Sequence, residues 1–393
     1  MFPIARKDQT GTAARAGTRR SGSTSGPHGP TYTGMSVTTY LRYMVEAGAS
    51  DLHMKAGLPP VVRIDGVLQH APFDPLTTAD TESAAMELLP ASKAMEFKET
   101  SEADVGYTLP GVGRFRVNVF RQRGNVNLAI RRVRSDIPTF DELNLPAAVE
   151  DLAKESRGMI LVTGPAGTGK TTTIAAVIGY INAHRRTHIV TMEDPIEIVH
   201  EDLLSVVDQR EIGLDTRSYR SGLRHVVRQD PDVIFIGEIR DMETVEAAIQ
   251  AAETGHLVIS TLHTLDATET VNRIIDLFPP ETQRQVRISL AASLRGVISQ
   301  RLVVRADGKG RVPAVEVLIN TGRVVERILD PEQTNTIPDV MVEGDFYGMQ
   351  TFDQALVGLV REKLVTPEAA AEAASNPHDF LLALREAELV PNA

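Results

Sequence analysis

Large apolar side chains are sparse over residues 1–34 and then recur in two different rhythms along the chain. The first stretch, including "GTAARAGTRRSGSTSGPHGPTYTG", is built of Gly, Ser, Thr, Pro and Arg. Such a segment buries too little surface to offset chain entropy, so a disordered tail is predicted over 1–34. It is basic, with Arg6, Lys7, Arg15, Arg19 and Arg20 against Asp8, and it lacks the apolar core of a secretory signal. Met35 stands where order is expected to begin, so the tail reads either as a misassigned start or as a basic appendage.

From 35 to 133 the pattern gives one helix, "VTTYLRYMVEAGA", and short alternating runs, "PVVRIDGVL", "DVGYTL" and "RFRVNVFRQ". Helical spacing followed by period-two alternation predicts a small α+β domain with an antiparallel sheet. "RSDIPTFDELNLP" at 134–146 has two prolines and no sustained period, and reads as a linker. Over 147–393 the rhythm changes: the buried-type runs "MILVTG", "HIVTMED", "VIFIGE" and "LVISTL" alternate with amphipathic helices. That alternation predicts an α/β domain, a parallel sheet with helices on both faces. After about Thr282 the chain reads as largely helical through "RQVRISLAASLRGVISQRLV", with one β segment near "VPAVEVLIN" and a closing helix pair.

Composition narrows this only slightly. The chain has 393 residues, of which 42% are hydrophobic and 24% charged, an ordinary globular balance. Its longest apolar runs fall far short of the roughly 18 to 20 residues of a membrane span, so the protein is expected to be peripheral to any membrane, not inserted. With no cysteine there is no disulfide framework and no thiolate zinc site, which fits a cytoplasmic location; any metal is expected on oxygen or imidazole. A net charge of −11 argues against generic nucleic-acid binding.

The stretch "GPAGTGKTTT" carries the first specific chemistry. Gly164, Gly169, Lys170 and Thr171 satisfy G-x-x-x-x-G-K-[ST], after a strand and before a helix. Pro165, Ala166, Gly167, Thr168 and Thr172 complete the expected ATP-binding loop. Glycines let backbone N–H groups converge on phosphate oxygens, and the helix N-terminus adds favourable potential. Lys170 is expected to reach the β and γ phosphates, and the Thr171 hydroxyl to ligate Mg²⁺.

Hydrolysis also needs carboxylates at the ends of neighbouring strands. "HIVTMEDPIEIVHED" supplies Glu193, Asp194 and Glu197, and "PDVIFIGEIRD" supplies Glu238 and Asp241. For Asp194 and Asp241 a helix-capping role competes. Glu197 is expected to polarise the attacking water and Glu238 to serve the magnesium shell, with the two roles exchangeable. His256 and His263 bracket one strand; their odd separation sends them to opposite faces, against a joint metal site, while either could sense a γ-phosphate.

These motifs resemble the secretion ATPases, and within them the pilus retraction ATPases of the twitching-motility family. The resemblance runs from about Val37 to Val365, through "GASDLHMKAGLPPVVRIDG", "GRFRVNVF", the phosphate loop, "TMEDPIE", "FIGEIRD", "TGHLVISTLHT", "VISQRL" and "YGMQTFDQAL". It implies a PAS-like N-terminal domain, a RecA-like ATPase domain with a helical C-terminal part, and a homo-hexameric ring. Nucleotide-driven rotations in that ring move an inner-membrane platform protein from the cytoplasmic face at the pilus base.

By position, Glu197 matches the catalytic glutamate, Glu238 the magnesium-side glutamate, and His256 and His263 the histidine box. Arginines of the N-terminal domain enter the site in this family; here the matching region holds Arg114, Arg116, Arg121, Arg123, Arg131 and Arg132, with Arg116 and Arg121 the finger candidates. A solvated strand face or a subunit interface would use the same arginines. Where retraction ATPases carry an "AIRNLIRE"-like segment, this chain has "GRVVERILDPEQ" at 322–333, alike in apolar spacing but not in charge. Pilus retraction is thus the expected function. A motor for another envelope machine (DNA uptake, secretion or an accessory pilus role) and a nucleotide-binding regulator with little hydrolysis are the alternatives.

Overall fold

The computed structural model describes residues 35–390 apart from 65 and 134. The expected tail over 1–34 lies outside the described residues.

The first part of the chain runs α1 (Val37–Glu46), β1 (Asp51–Met54), β2 (Val61–Ile64), β3 (Val67–His70), α2 (Thr78–Leu88), α3 (Ala91–Thr100), β4 (Glu102–Leu109), β5 (Gly113–Gln122) and β6 (Asn125–Arg132). Its six strands form one antiparallel sheet in the order β3-β2-β1-β6-β5-β4. Alternation along β5 buries Phe115, Val117 and Val119 against the helices and leaves the arginines Arg114 and Arg116 on the other face. Three helices pack here where the sequence pattern predicts one. In α2 the buried positions are Thr81, Ala84, Ala85 and Leu88, mostly small side chains that make a weak apolar stripe. A capping box between Thr77 and Asp80 fixes its start.

The second part contains α4 (Ala147–Ala153), β7 (Gly158–Thr163), α5 (Lys170–His184), β8 (His188–Glu193), β9 (Val206–Glu211), α6 (Tyr219–Val226), β10 (Val233–Ile236), α7 (Met242–Glu253), β11 (Leu257–Leu262), α8 (Ala267–Asp276), α9 (Pro280–Ser293), β12 (Leu294–Val304) and β13 (Arg311–Ile319). The strands order as β13-β12-β7-β11-β10-β8-β9, parallel throughout except for β13, which runs antiparallel to β12. Every residue of β7, β10 and β11 is buried, as expected of strands covered on both faces. Helices α10 (Gly322–Leu329), α11 (Ile337–Val342), α12 (Phe352–Arg361), α13 (Pro367–Ala373) and α14 (Pro377–Glu386) follow, so the closing helix pair is only the end of a longer helical region.

Residues 294–303, expected to be helical, form a strand instead. Val286 and Leu290 keep helical spacing, but the helix stops at Ser293 and the chain enters β12. The sequence has no proline at this junction, and Leu294, Val297 and Ile298 are buried on both faces between β7 and β13. A short apolar run buried on both sides has no period by which to tell strand from helix.

Beneath the end of β7, Thr163 Oγ1 donates to Ser299 Oγ at 3.1 Å, and Ser299 sits opposite the buried Glu316 of β13. Glu316 Oε1 accepts the Ala267 N–H at the start of α8, 2.8 Å away. Burial pushes the Glu316 carboxyl up to about 7, helped by the charge of Asp266 and opposed by the bonds from Ala267 and Ser299 and by Arg301. The folded form therefore binds a proton that the unfolded chain has released, so the stability linked to this group is full at low pH and declines as pH rises through about 7. Glu316→Gln is expected to match the wild type near pH 5 and to exceed it near pH 8 by about 3 kcal/mol, since each tenfold change in proton affinity is worth roughly 1.4 kcal/mol. Thermal unfolding of both proteins at the two pH values checks this; a difference that does not change with pH would contradict it.

Candidate active site

The phosphate loop begins where β7 ends. A Cβ at Gly164 would lie 2.6 Å from Gln300 O and 2.7 Å from Thr168 Oγ1, and its φ is +139°, so only glycine fits. Gly169 is the N-cap of α5, which begins at Lys170, so the free N–H groups of the first turn face the loop. Lys170 Nζ donates to Gly164 O at 2.6 Å and to Pro165 O at 2.9 Å, curled across the loop. Burial lowers its pKa, against the fields of Glu238 and Glu197. A polyphosphate would restore what burial takes from this ammonium, which is the chemistry the loop offers an anion.

Register brings the carboxylates to the same edge. Ile236 lies beside Met192 and Ser260, and Ser260 beside Leu161, so the ends of β8, β10, β11 and β7 are level. A cavity of about 240 Å³ opens there, bordered by Lys170, Thr171, Glu193, Glu197, Glu238 and His263. Thr261 holds Glu238 by both neighbours: its hydroxyl donates to Gly237 O at 2.7 Å, and its carbonyl accepts Ile239 N–H at 3.0 Å. The Glu238 carboxylate meets Arg240, and its second oxygen lies 3.6 Å from His263 Nε2.

Residues 194–200 leave β8 as an extended strap, opened by a cis peptide between Asp194 and Pro195, and carry Glu197 to the cavity rim. The Glu197 side chain is half exposed and faces Arg116 of β5, with Nη1 to Oε1 at 3.8 Å. Of the two finger candidates, Arg116 therefore reaches the site. Beside it a cleft of about 510 Å³ separates the first sheet, at Asp51, Arg116 and Arg131, from Asp194 and Glu211 of the second part. Arg114 Nη2 crosses to Glu211 Oε2 at 2.7 Å with both side chains largely buried.

Two expected members of the catalytic group lie elsewhere, and a third is held in place beneath it. His256 precedes β11 at the level where its carbonyl accepts the Gly158 N–H, the opposite edge of the sheet, and its Nδ1 bonds Ala251 O at 2.9 Å. At about 3.3 Å per residue it stands some 20 Å from His263, which alone of the pair borders the cavity. Arg121 lies over the Phe97 ring, 5.3 Å from its centroid, and donates to Gly124 O at 3.1 Å, far along β5 from the cleft. Glu193 is buried at the cavity wall; burial raises its pKa, while bonds from Thr191, Gln209 and the Glu197 N–H lower it. Those bonds make it an anchor under the strap more than a group free to face the cavity. Asp241 caps α7 by accepting the Thr244 N–H at 2.8 Å, whereas no helix follows Asp194 directly.

Sequence reasoning also misses residues that shape the site. Tyr219 borders the cavity with its hydroxyl where a Cβ on Gly237 would lie 2.7 Å away, and burial together with Asp194, Glu238 and Glu193 raises its pKa. The side chain of His200, the last residue of the strap, is buried at the cavity, which pushes it down to about 4 and keeps it neutral. Neither sits in a motif with recognisable spacing. Among the described residues no group of three or more His, Cys, Asp or Glu could hold a metal. The oxygen donors Thr171 and Glu238, which border the same cavity, are of the kind that would hold a magnesium ion.

Comparison with known proteins identifies the family. The chain is 40% identical over 346 residues to the "Type IV pilus retractation ATPase PilT" of Pseudomonas aeruginosa, covering 88% of this chain and 100% of that protein. It is 39% identical to the "Type IV pilus ATPase PilU" of the same organism, covering 89% and 92%. A crystal structure of the pilus retraction motor PilT with bound ADP superposes with a TM-score of 0.79 at 45% identity, over 88% of this chain and 98% of that one. The sequence profile of the type II/IV secretion system proteins matches residues 33–344, and the chain belongs to that family.

Proposed function

We propose that this protein is a magnesium-dependent ATPase motor that powers type IV pilus retraction. The observation that carries the reading is the convergence of Lys170, Thr171, Glu197 and Glu238 on one cavity, with Arg116 of the first sheet reaching Glu197. Near-full-length similarity to a retraction ATPase supports the biological role. In this reading the phosphate loop and Lys170 bind the polyphosphate of ATP, and the metal supplies charge neutralisation when bound. Thr171 and Glu238 would hold it there. Glu197 accepts a proton from the attacking water, and Arg116 offers positive charge to the transferred phosphoryl group when the cleft closes.

Because Arg116 lies across a cleft on a separate sheet, catalysis depends on how the two parts approach one another, which suits a ring in which neighbours set that approach. We place the motor as a homo-hexamer on the cytoplasmic face of the inner membrane, acting on the pilus platform protein. No helix among the described residues is long and apolar enough to cross a membrane. An accessory pilus ATPase is the second reading. It is favoured by the nearly equal identity to PilU and by α10, whose Arg323 pairs with Glu343 at 2.7 Å in the segment where the family's charge pattern is altered.

Lys170→Ala is expected to abolish magnesium-dependent ATP hydrolysis. Glu197→Gln should bind ATP with near wild-type affinity while turnover falls by about a hundredfold or more. Phosphate-release assays and nucleotide titration check both, and wild-type turnover in Glu197→Gln would remove Glu197 from its role. Specific activity is further expected to rise with protein concentration as rings assemble; full activity in a monomer isolated by size exclusion would contradict the motor reading. Deleting the gene separates the two biological readings: surface pili that persist but do not retract support retraction, and unaltered retraction supports the accessory role.

A further inference from the structure

We propose that Gln209 and Glu211 of β9 are positioning residues that aim Glu197 by holding the backbone on either side of it, with Glu211 shared between this strap and Arg114 of the first sheet. The inference rests on Glu197 being the water-activating group.

Apart from a single bridge residue at Ile198 the strap has no regular secondary structure, so its shape is fixed by the partners of its N–H and C=O groups. Several of those partners are side chains. Glu211 Oε2 accepts the Ile196 N–H at 3.3 Å, and Glu193 accepts the N–H of Glu197 itself. Gln209 Nε2 donates to Ile198 O at 2.9 Å, while its Oε1 accepts the His200 N–H at 2.8 Å. The carboxamide thus meets the strap as a neighbouring strand would, bonding a carbonyl and the N–H two residues later. Its second N–H bond goes to Glu193 Oε1 at 3.1 Å, which ties the two anchors together. Four backbone groups within 196–200 are held, and they bracket residue 197.

The placement follows from the sheet. β9 pairs with β8 so that Thr191 lies beside Gln209 and Glu193 beside Glu211. Period two puts 209 and 211 on one face with 191 and 193, the face over which the strap folds. The Glu197 carboxylate is half exposed and meets Arg116 only at 3.8 Å, too far for a hydrogen bond to fix it, so its direction is set by the backbone beneath it. Glu211 adds a second function. The oxygen that accepts the Ile196 N–H also accepts Arg114 Nη2 at 2.7 Å, so a displacement of the first sheet pulls on the group that holds the residue before Glu197. Domain position and the aim of the catalytic carboxylate share one atom.

The test uses the full-length assembled protein. Gln209→Leu is expected to lower kcat by about tenfold to a hundredfold, the scale of an ångström-sized misplacement, with KM for ATP and the affinity for a fluorescent ATP analogue unchanged. Gln209→Glu keeps the acceptor for His200 and loses both donors, and serves in the same way should the leucine variant not fold. Glu211→Gln retains an acceptor for Ile196 and should keep most of kcat, whereas Glu211→Ala should not. In a Glu197→Gln background the Gln209 substitution should cause no further loss, because its effect passes through Glu197. Losses that multiply, or wild-type kcat in the Gln209 variants beside a crippled Glu197→Gln, overturn the positioning role. Wild-type turnover in Glu197→Gln alone overturns the underlying assignment of Glu197, a separate result.

Discussion

The site depends on the level register of four parallel strands. Because Thr163, Glu193, Ile236 and Leu262 end β7, β8, β10 and β11 near one height, whatever follows each strand meets at one edge. The phosphate loop follows β7, the strap with Glu197 follows β8, Glu238 follows β10 and His263 follows β11. The same register keeps His256 out, since a residue that precedes a strand in this sheet belongs to the other edge. The buried layer of Thr163, Ser299 and Glu316 lies beneath this edge and carries its own pH dependence.

Two of the site's charges are held in different ways. Glu238 sits in a turn gripped at both neighbours by Thr261 of the central sheet, which makes it rigid with the phosphate loop. Glu197 rides on a strap held by an edge strand, and that strap is tied by Glu211 to an arginine of the first sheet. In the proposed mechanism a metal-side group is fixed to the core and a water-side group is linked to the first sheet, the division that coupling of hydrolysis to domain motion requires. The buried Arg114 to Glu211 pair is better regarded as a device for register between the parts than as a large source of stability, because desolvation offsets much of its attraction.

The legible parts of this protein are those with a period or a spacing. The continuous apolar runs of β7, β10 and β11 announce a parallel sheet, and Gly164, Gly169, Lys170 and Thr171 announce a phosphate loop by spacing alone. Glu197 and Glu238 follow from where the strands end. β12 is obscured because Leu294, Val297 and Ile298 are buried on both faces, and β9 because an edge strand reading "VVDQRE" carries few apolar residues. Gln209, Glu211 and Tyr219 are invisible for a different reason. Their roles lie in bonds and contacts to a strap or a turn distant in sequence, and no local spacing encodes them. Among the arginines of β5, sequence alone does not separate Arg116 at the site from Arg114, engaged by Glu211, and Arg121, stacked on Phe97.

One ATP site assembled from the edge of the second sheet and an arginine of the first is the feature on which the proposed motor turns. A structure of the assembled Glu197→Gln protein with magnesium and ATP tests it most directly. The expected result has the terminal phosphate within hydrogen-bonding reach of Lys170, the metal on Thr171 with Glu238 in its shell, and Arg116 drawn toward the terminal phosphate. A nucleotide bound with its terminal phosphate away from residues 197 and 238, or a fully closed site that leaves Arg116 in solvent, would contradict it.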